Sequence, residues 1–179
     1  MLRYLIATPI NDDESVGFVK LRDKYKSYAP RWHITLDPHI TIVRPSPAQV
    51  SLDMAIELFE LSNMPKEFRV NFSEFDAFLS PDSCCVYAKP DDILGFERLN
   101  ELFLPVSKKI LNLDPNDWPF LPHLTLINRL HREAAMDLLE ALRREKVALS
   151  YLIDRVVLFK KDDTDSVWLK VAECVLTKG

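Results

Sequence analysis

Apolar and polar positions alternate with two periods along this chain, and the switches between them outline the fold. Residues 2–10 (LRYLIATPI) are a short apolar run that predicts a strand. Residues 13–27 then carry a helical pattern, with Asn11, Asp12 and Asp13 as capping residues and Val16, Val19 and Leu21 turned inward. A loop over 28–37 leads to a strand at 39–44. Ser46 and Pro47 open the next predicted helix, which runs to about residue 62. Residues 67–79 alternate Phe68, Val70, Phe72 against Arg69, Asn71, Ser73, and 84–89 return as their hairpin partner after Pro81-Asp82-Ser83. A long helix follows Asp91 or Asp92, with Pro105 expected to kink or split it. Residues 114–121 form a Pro-rich loop. A strand, a helix over 132–146 (Ala135, Leu138, Leu139, Leu142) and a final hairpin over 150–160 and 167–176 complete the chain.

One hexapeptide occurs twice within this pattern. Pro38-His39-Ile40-Thr41-Ile42-Val43 and Pro122-His123-Leu124-Thr125-Leu126-Ile127 share the form Pro-His-apolar-Thr-apolar-apolar. Each reads as a buried strand, and its period of two puts His and Thr on one face with the apolar residues on the other. A hairpin follows each copy at nearly the same offset. The chain therefore reads as one domain over 1–179, built from two lobes. The lobe-forming halves are roughly 11–90 and 91–179, and the N-terminal strand 2–10 completes one sheet. The expected architecture is α+β: a bilobal, pseudo-twofold duplication with mixed or antiparallel sheets, flanking helices and a central cleft.

A third HxT, His33-Ile34-Thr35, lacks the preceding Pro and breaks the hairpin offset, so it reads as loop. The pair at 39 and 123 is far more specific than any single HxT. Two imidazoles suit phosphodiester chemistry: near neutral pH one can be neutral and accept a proton while the other is protonated and donates one. Thr41 and Thr125 would hydrogen-bond the phosphate oxygens. Arg44 and Arg129 are further candidates for the phosphate, with an exposed strand-end role as the equal alternative. Arg129 shares the parity of His123 if its strand continues. Tyr87 and Trp168 fall on comparable hairpin strands, where a core role is favoured over base stacking. No third ligand is spaced for zinc, so neither a metal nor a cofactor is expected.

Composition narrows the surroundings of this chemistry. The net charge of −4 argues against a large nucleic-acid footprint. Cys84, Cys85 and Cys174 do not suggest a disulfide framework, and no apolar run is long enough to cross a membrane. A cytoplasmic, monomeric protein with no membrane contact is expected.

The paired motif, 84 residues apart (123 − 39), resembles the signature of the two-histidine phosphoesterase superfamily, in its 2'-5' RNA ligase-like and cyclic phosphodiesterase branch. Arg3-Tyr4-Leu5-Ile6-Ala7 is similar to the family's first strand, and Val156 to Phe159 with Val167-Trp168 to its last hairpin. The resemblance implies His39 and His123 as the catalytic pair and Thr41 and Thr125 as phosphate ligands. It implies hydrolysis of a 2',3'-cyclic phosphate or a 2'-5' phosphodiester at an RNA end or small nucleotide. RNA 2'-5' ligation, or a non-catalytic nucleotide- or RNA-binding module, are the alternatives. Asn128 stands where many members carry Arg, and Lys160-Lys161 follow Phe159 where Ser is common.

Overall fold

The computed structural model describes residues 1–29, 36–60, 64–111, 119–145 and 148–179. His33-Ile34-Thr35, the end of the second predicted helix and most of the Pro-rich loop lie outside the described residues. Thirteen of the fourteen residues of α1 (Asp12–Tyr25) fall in the expected helix, and a 3-10 turn, Lys26–Tyr28, ends it. The strands are β1 (Arg3–Pro9), β2 (His39–Pro47), β3 (Phe68–Phe78), β4 (Cys84–Pro90), β5 (Leu124–Leu130), β6 (Leu149–Ile153), β7 (Arg155–Lys161) and β8 (Leu169–Val175). The remaining helices are α2 (Leu52–Glu60), α3 (Leu94–Ile110) and α4 (Arg132–Arg143). The fold is α+β. The strands form one eight-stranded sheet in the order β6-β3-β4-β5-β2-β1-β7-β8, with every named pairing antiparallel.

Local sequence explains most elements, and tertiary contacts explain the departures. Asp12, Asp13 and Glu14 open α1 and Arg22 and Lys24 close it, which complements the helix dipole. Its buried face is Ser15, Phe18, Arg22 and Tyr25; Val16, expected inside, is 48% exposed. The second helix starts at Leu52 rather than Pro47. Ser46 and Pro47 instead pair with Tyr4 and Arg3, and the Ser51 hydroxyl accepts from the Met54 amide at 3.4 Å. Pro105 lies on the exposed face of α3, which runs through it unbroken.

The repeat is real but its boundary differs from the expected one. Across β1–β2 the partners are Thr8–Ile40, Ala7–Thr41, Ile6–Val43 and Tyr4–Ser46. Across β4–β5 they are Ala88–Leu124, Tyr87–Thr125, Val86–Ile127 and Cys84–Leu130. Each motif strand therefore carries the same two bulges in the same places. The matching units are β1-α1-β2-α2-β3 and β4-α3-β5-α4 followed by β6 and β7. β1 is the counterpart of β4 and not an addition, so the units divide between β3 and β4 rather than near residue 90. The hairpin β3–β4 pairs with β5 because β1 already occupies the outer edge of β2. The last segment splits at Asp154: β6 pairs with β3 at one end of the sheet, and β7 pairs with β1 in the other half. β8 lies outside β7 as β6 lies outside β3, so these two edge strands take equivalent places in the sheet although they come from different points of the chain.

The main core lies on the helix-covered face and holds Tyr4, Ile6, Phe18, Phe59, Phe72, Phe96 and Phe103 among others. A second, small cluster of Leu5, Ala7, Val157 and Phe159, with Leu36 and Trp168 against it, covers part of the opposite face. Among the described residues no helix is long and apolar enough to cross a membrane.

Candidate active site

The two hexapeptides meet at the centre of the sheet. Ile40 is the direct antiparallel partner of Leu124, and this is the one register pair between β2 and β5. Both side chains are fully buried. The pleat then puts His39, Thr41, His123 and Thr125 on the opposite face. Antiparallel pairing sets each histidine at the end of the other strand's threonine. All four side chains retain some solvent access.

Each motif ends its polar alternation at a bulge. Ile42 and Val43 are both core residues, as are Leu126 and Ile127, because the extra residue in each strand lets two successive side chains face inward. The bulges also change where the candidate arginines lie on the strands. Counting through them, Arg44 and Asn128 are the equivalent positions on the His/Thr side, while Arg129 matches Pro45. Arg129 sits at the second bulge with φ of 60°, exposed, so its parity with His123 does not carry through. Arg44 is half-buried. The Asn128 side-chain oxygen is buried with no hydrogen-bond partner among the described residues.

Both imidazoles are held alike. His39 Nδ1 lies 2.7 Å from the Asp37 carbonyl and His123 Nδ1 lies 2.8 Å from the Leu121 carbonyl. A carbonyl only accepts, so each Nδ1 carries the proton and Nε2 is the nitrogen left to act on a substrate. The equivalent bonds follow from the equivalent residues: Pro38 and Pro122 fix the turn that brings each carbonyl back to its ring.

The surroundings are not equivalent. Phe78 meets the His123 ring edge-on at 4.8 Å, Tyr87 lies 5.1 Å from it, and the two aromatics stack at 4.3 Å. Tyr87 is buried. His39 instead faces a cavity of about 390 Å³ lined by Leu36, Val157, Phe159 and Trp168, with Arg155, Lys170 and Glu173. The sequence favours a core role for Tyr87 and Trp168. Tyr87 is buried but walls a candidate catalytic residue, and Trp168 lines the cavity. Arg22 was missed. Its guanidinium is buried over the Phe18 ring and donates to the Thr125 carbonyl at 3.1 Å. The available signal was its position four residues after Phe18 and three before Tyr25, on one helix face.

Burial pushes both histidines below the ordinary imidazole value, His39 to about 4. For His39 the Arg22 and His123 charges add to this, while the Asp37 carbonyl and carboxylate oppose it. The Leu121 carbonyl opposes it for His123. Cys85, whose Sγ is 3.8 Å from the Thr125 hydroxyl, is pushed up to about 11 by burial and remains a thiol. Among the described residues no cluster of three His, Cys, Asp or Glu side chains could hold a metal ion.

The fold is shared with solved structures, and the sequence with a known family. Escherichia coli LigT, in its complex with 3'-AMP, superposes with a TM-score of 0.71 over 98% of both chains at 14% identity. A Thermus thermophilus protein superposes at 0.68 over 98% of both chains at 17% identity. An Oceanobacillus iheyensis protein, provisionally named a phosphoesterase, is 28% identical over 145 residues, covering 79% of this chain and 81% of that one. The model of the 2'-5' RNA ligase superfamily matches residues 11–165, and the chain belongs to that superfamily.

Proposed function

We propose that the protein is a metal-independent phosphodiesterase that hydrolyses a 2',3'-cyclic phosphate or a 2'-5' phosphodiester, at an RNA end or in a small nucleotide. The observation that carries this reading is the meeting of two identically held histidines at the Ile40–Leu124 pair. With Nδ1 protonated on both rings, a neutral imidazole takes a proton from the attacking water at Nε2. A protonated partner donates from Nε2 to the leaving ribose oxygen. The Nδ1–H to carbonyl bonds hold each ring in place and strengthen as it becomes cationic. Thr41 and Thr125 bind the non-bridging oxygens and stabilise the charge that builds there. The solved E. coli LigT complexes with 3'-AMP and ATP support a nucleotide as the ligand class.

The test is hydrolysis of nucleoside 2',3'-cyclic monophosphates in EDTA by the wild type, His39→Ala and His123→Ala. Activity in the wild type that both variants lose supports the reading. Undiminished activity in either variant removes that histidine from the mechanism.

A further inference from the structure

The two repeats differ at one position that decides where a substrate can extend. Ala7 and Tyr87 are equivalent: each is the partner of its motif's threonine. Phe159 and Phe78 are equivalent one strand further out, as partners of Leu5 and Cys85. In the second repeat the Tyr87 ring stacks on Phe78 and both fill the space against His123. In the first repeat Ala7 has no ring, and the cavity stands open between His39, Val157 and Phe159. The outer arm of the last hairpin then adds a further wall: Trp168, just before β8, with Lys170 and Glu173 on it.

We infer that this cavity receives the nucleoside attached to the scissile phosphate, with its base against Trp168. The inference rests on the phosphodiesterase reading and adds the direction in which the substrate lies. One side of the cavity is apolar and aromatic (Leu36, Val157, Phe159, Trp168), which suits a planar base. Its polar side favours an uncharged group over a second phosphate. Lys170 already donates to Glu173 at 2.7 Å, and Arg155 is held by Asp154 at 2.8 Å and by Glu173 at 3.5 Å. Asp12 and Asp37 add further negative charge to the lining. Carboxylates with their cations already engaged accept hydrogen bonds from an exocyclic amine or a ribose hydroxyl and repel an additional phosphate.

Calorimetric titration of the full chain tests this with three probes: 3'-AMP, adenosine 3',5'-bisphosphate and inorganic phosphate. The wild type should bind 3'-AMP more tightly than phosphate, and the bisphosphate no more tightly than 3'-AMP. Trp168→Ala should weaken 3'-AMP by roughly 5- to 150-fold, the range for loss of one base stack, and leave phosphate unchanged. Trp168→Phe should restore most of the loss. The inference is overturned if Trp168→Ala spares 3'-AMP, if phosphate weakens equally, or if the bisphosphate binds best. Phosphate binding that depends on His39 and His123, with 3'-AMP no tighter than phosphate, would overturn the nucleoside cavity and leave the phosphodiesterase reading standing. Failure of both ligands to bind, with no turnover of cyclic phosphates, would remove both.

Discussion

Ile40 and Leu124 face each other across the middle of the sheet, and each holds a His-x-Thr strand against the other repeat. Because both are fully buried, the pair anchors the face that carries the two histidines from behind. In the proposed mechanism, acid and base act on one phosphate as a unit. Each of His39→Ala and His123→Ala should lower kcat/KM on a nucleoside 2',3'-cyclic phosphate by roughly 10²–10⁴-fold. The double variant should be little worse than the poorer single one, as measured by steady-state kinetics. Additive losses would mean that the two rings do not share one transition state.

The pH dependence follows from the depressed histidines. Lowered values mean that both rings are neutral in the free protein near pH 7, whereas the proposed mechanism needs one protonated. The active form is therefore most populated between two values that both lie below about 6.5. The kcat/KM profile should be bell-shaped with its maximum on the acid side of pH 6.5. The upper limb should move to higher pH in kcat, because a bound phosphate anion stabilises the imidazolium. A kcat/KM maximum above pH 7 would contradict the burial of the rings.

The same shift affects stability. His39 is neutral when folded down to about pH 4, whereas in the unfolded chain it gains a proton near 6.5. Below 6.5 the unfolded state binds more protons, so stability is fully present above that pH and is lost as pH falls towards 4. His39→Gln removes this penalty. Between pH 7 and pH 4.5 its unfolding free energy, from denaturant titration, should fall less than that of the wild type, by a difference on the order of 1–3 kcal/mol. Parallel losses in the two proteins would show that His39 is not desolvated.

Gly95 offers a test of packing away from the site. In an exposed helix Gly→Ala gains roughly 0.5–1 kcal/mol. Here a Cβ would lie 2.6 Å from ring carbons of Phe68, which is itself held edge-on to Phe96 at 5.2 Å. Overpacking of about 1–3 kcal/mol should outweigh the helix gain. Gly95→Ala should therefore lower the urea midpoint, and a rise would mean that Phe68 moves aside freely.

The sequence by itself determined most of the elements and which candidate side chains share a face. Two hexapeptides with β-forming residues dictate two strands, and a period of two dictates that His39 and Thr41, or His123 and Thr125, share a face. The turn at Pro81, the 3.6-residue pattern of α4 and the strand of residues 2–10 were legible for the same reason: each is a local preference. The tertiary structure decided everything that depends on which edges meet. No local signal shows that β1 takes the outer edge of β2 and forces β3–β4 onto β5, or that a near-continuous segment splits at Asp154 to serve both halves. The bulges were likewise hidden, since a bulge is a mismatch between two strands and cannot be counted along one. They overturned the parity that placed Arg129 with His123. Above all, the difference between Ala7 and Tyr87 acquires meaning only once both are known to pair with the motif threonines. That pairing closes the space beside His123 with aromatic rings and leaves the space beside His39 open.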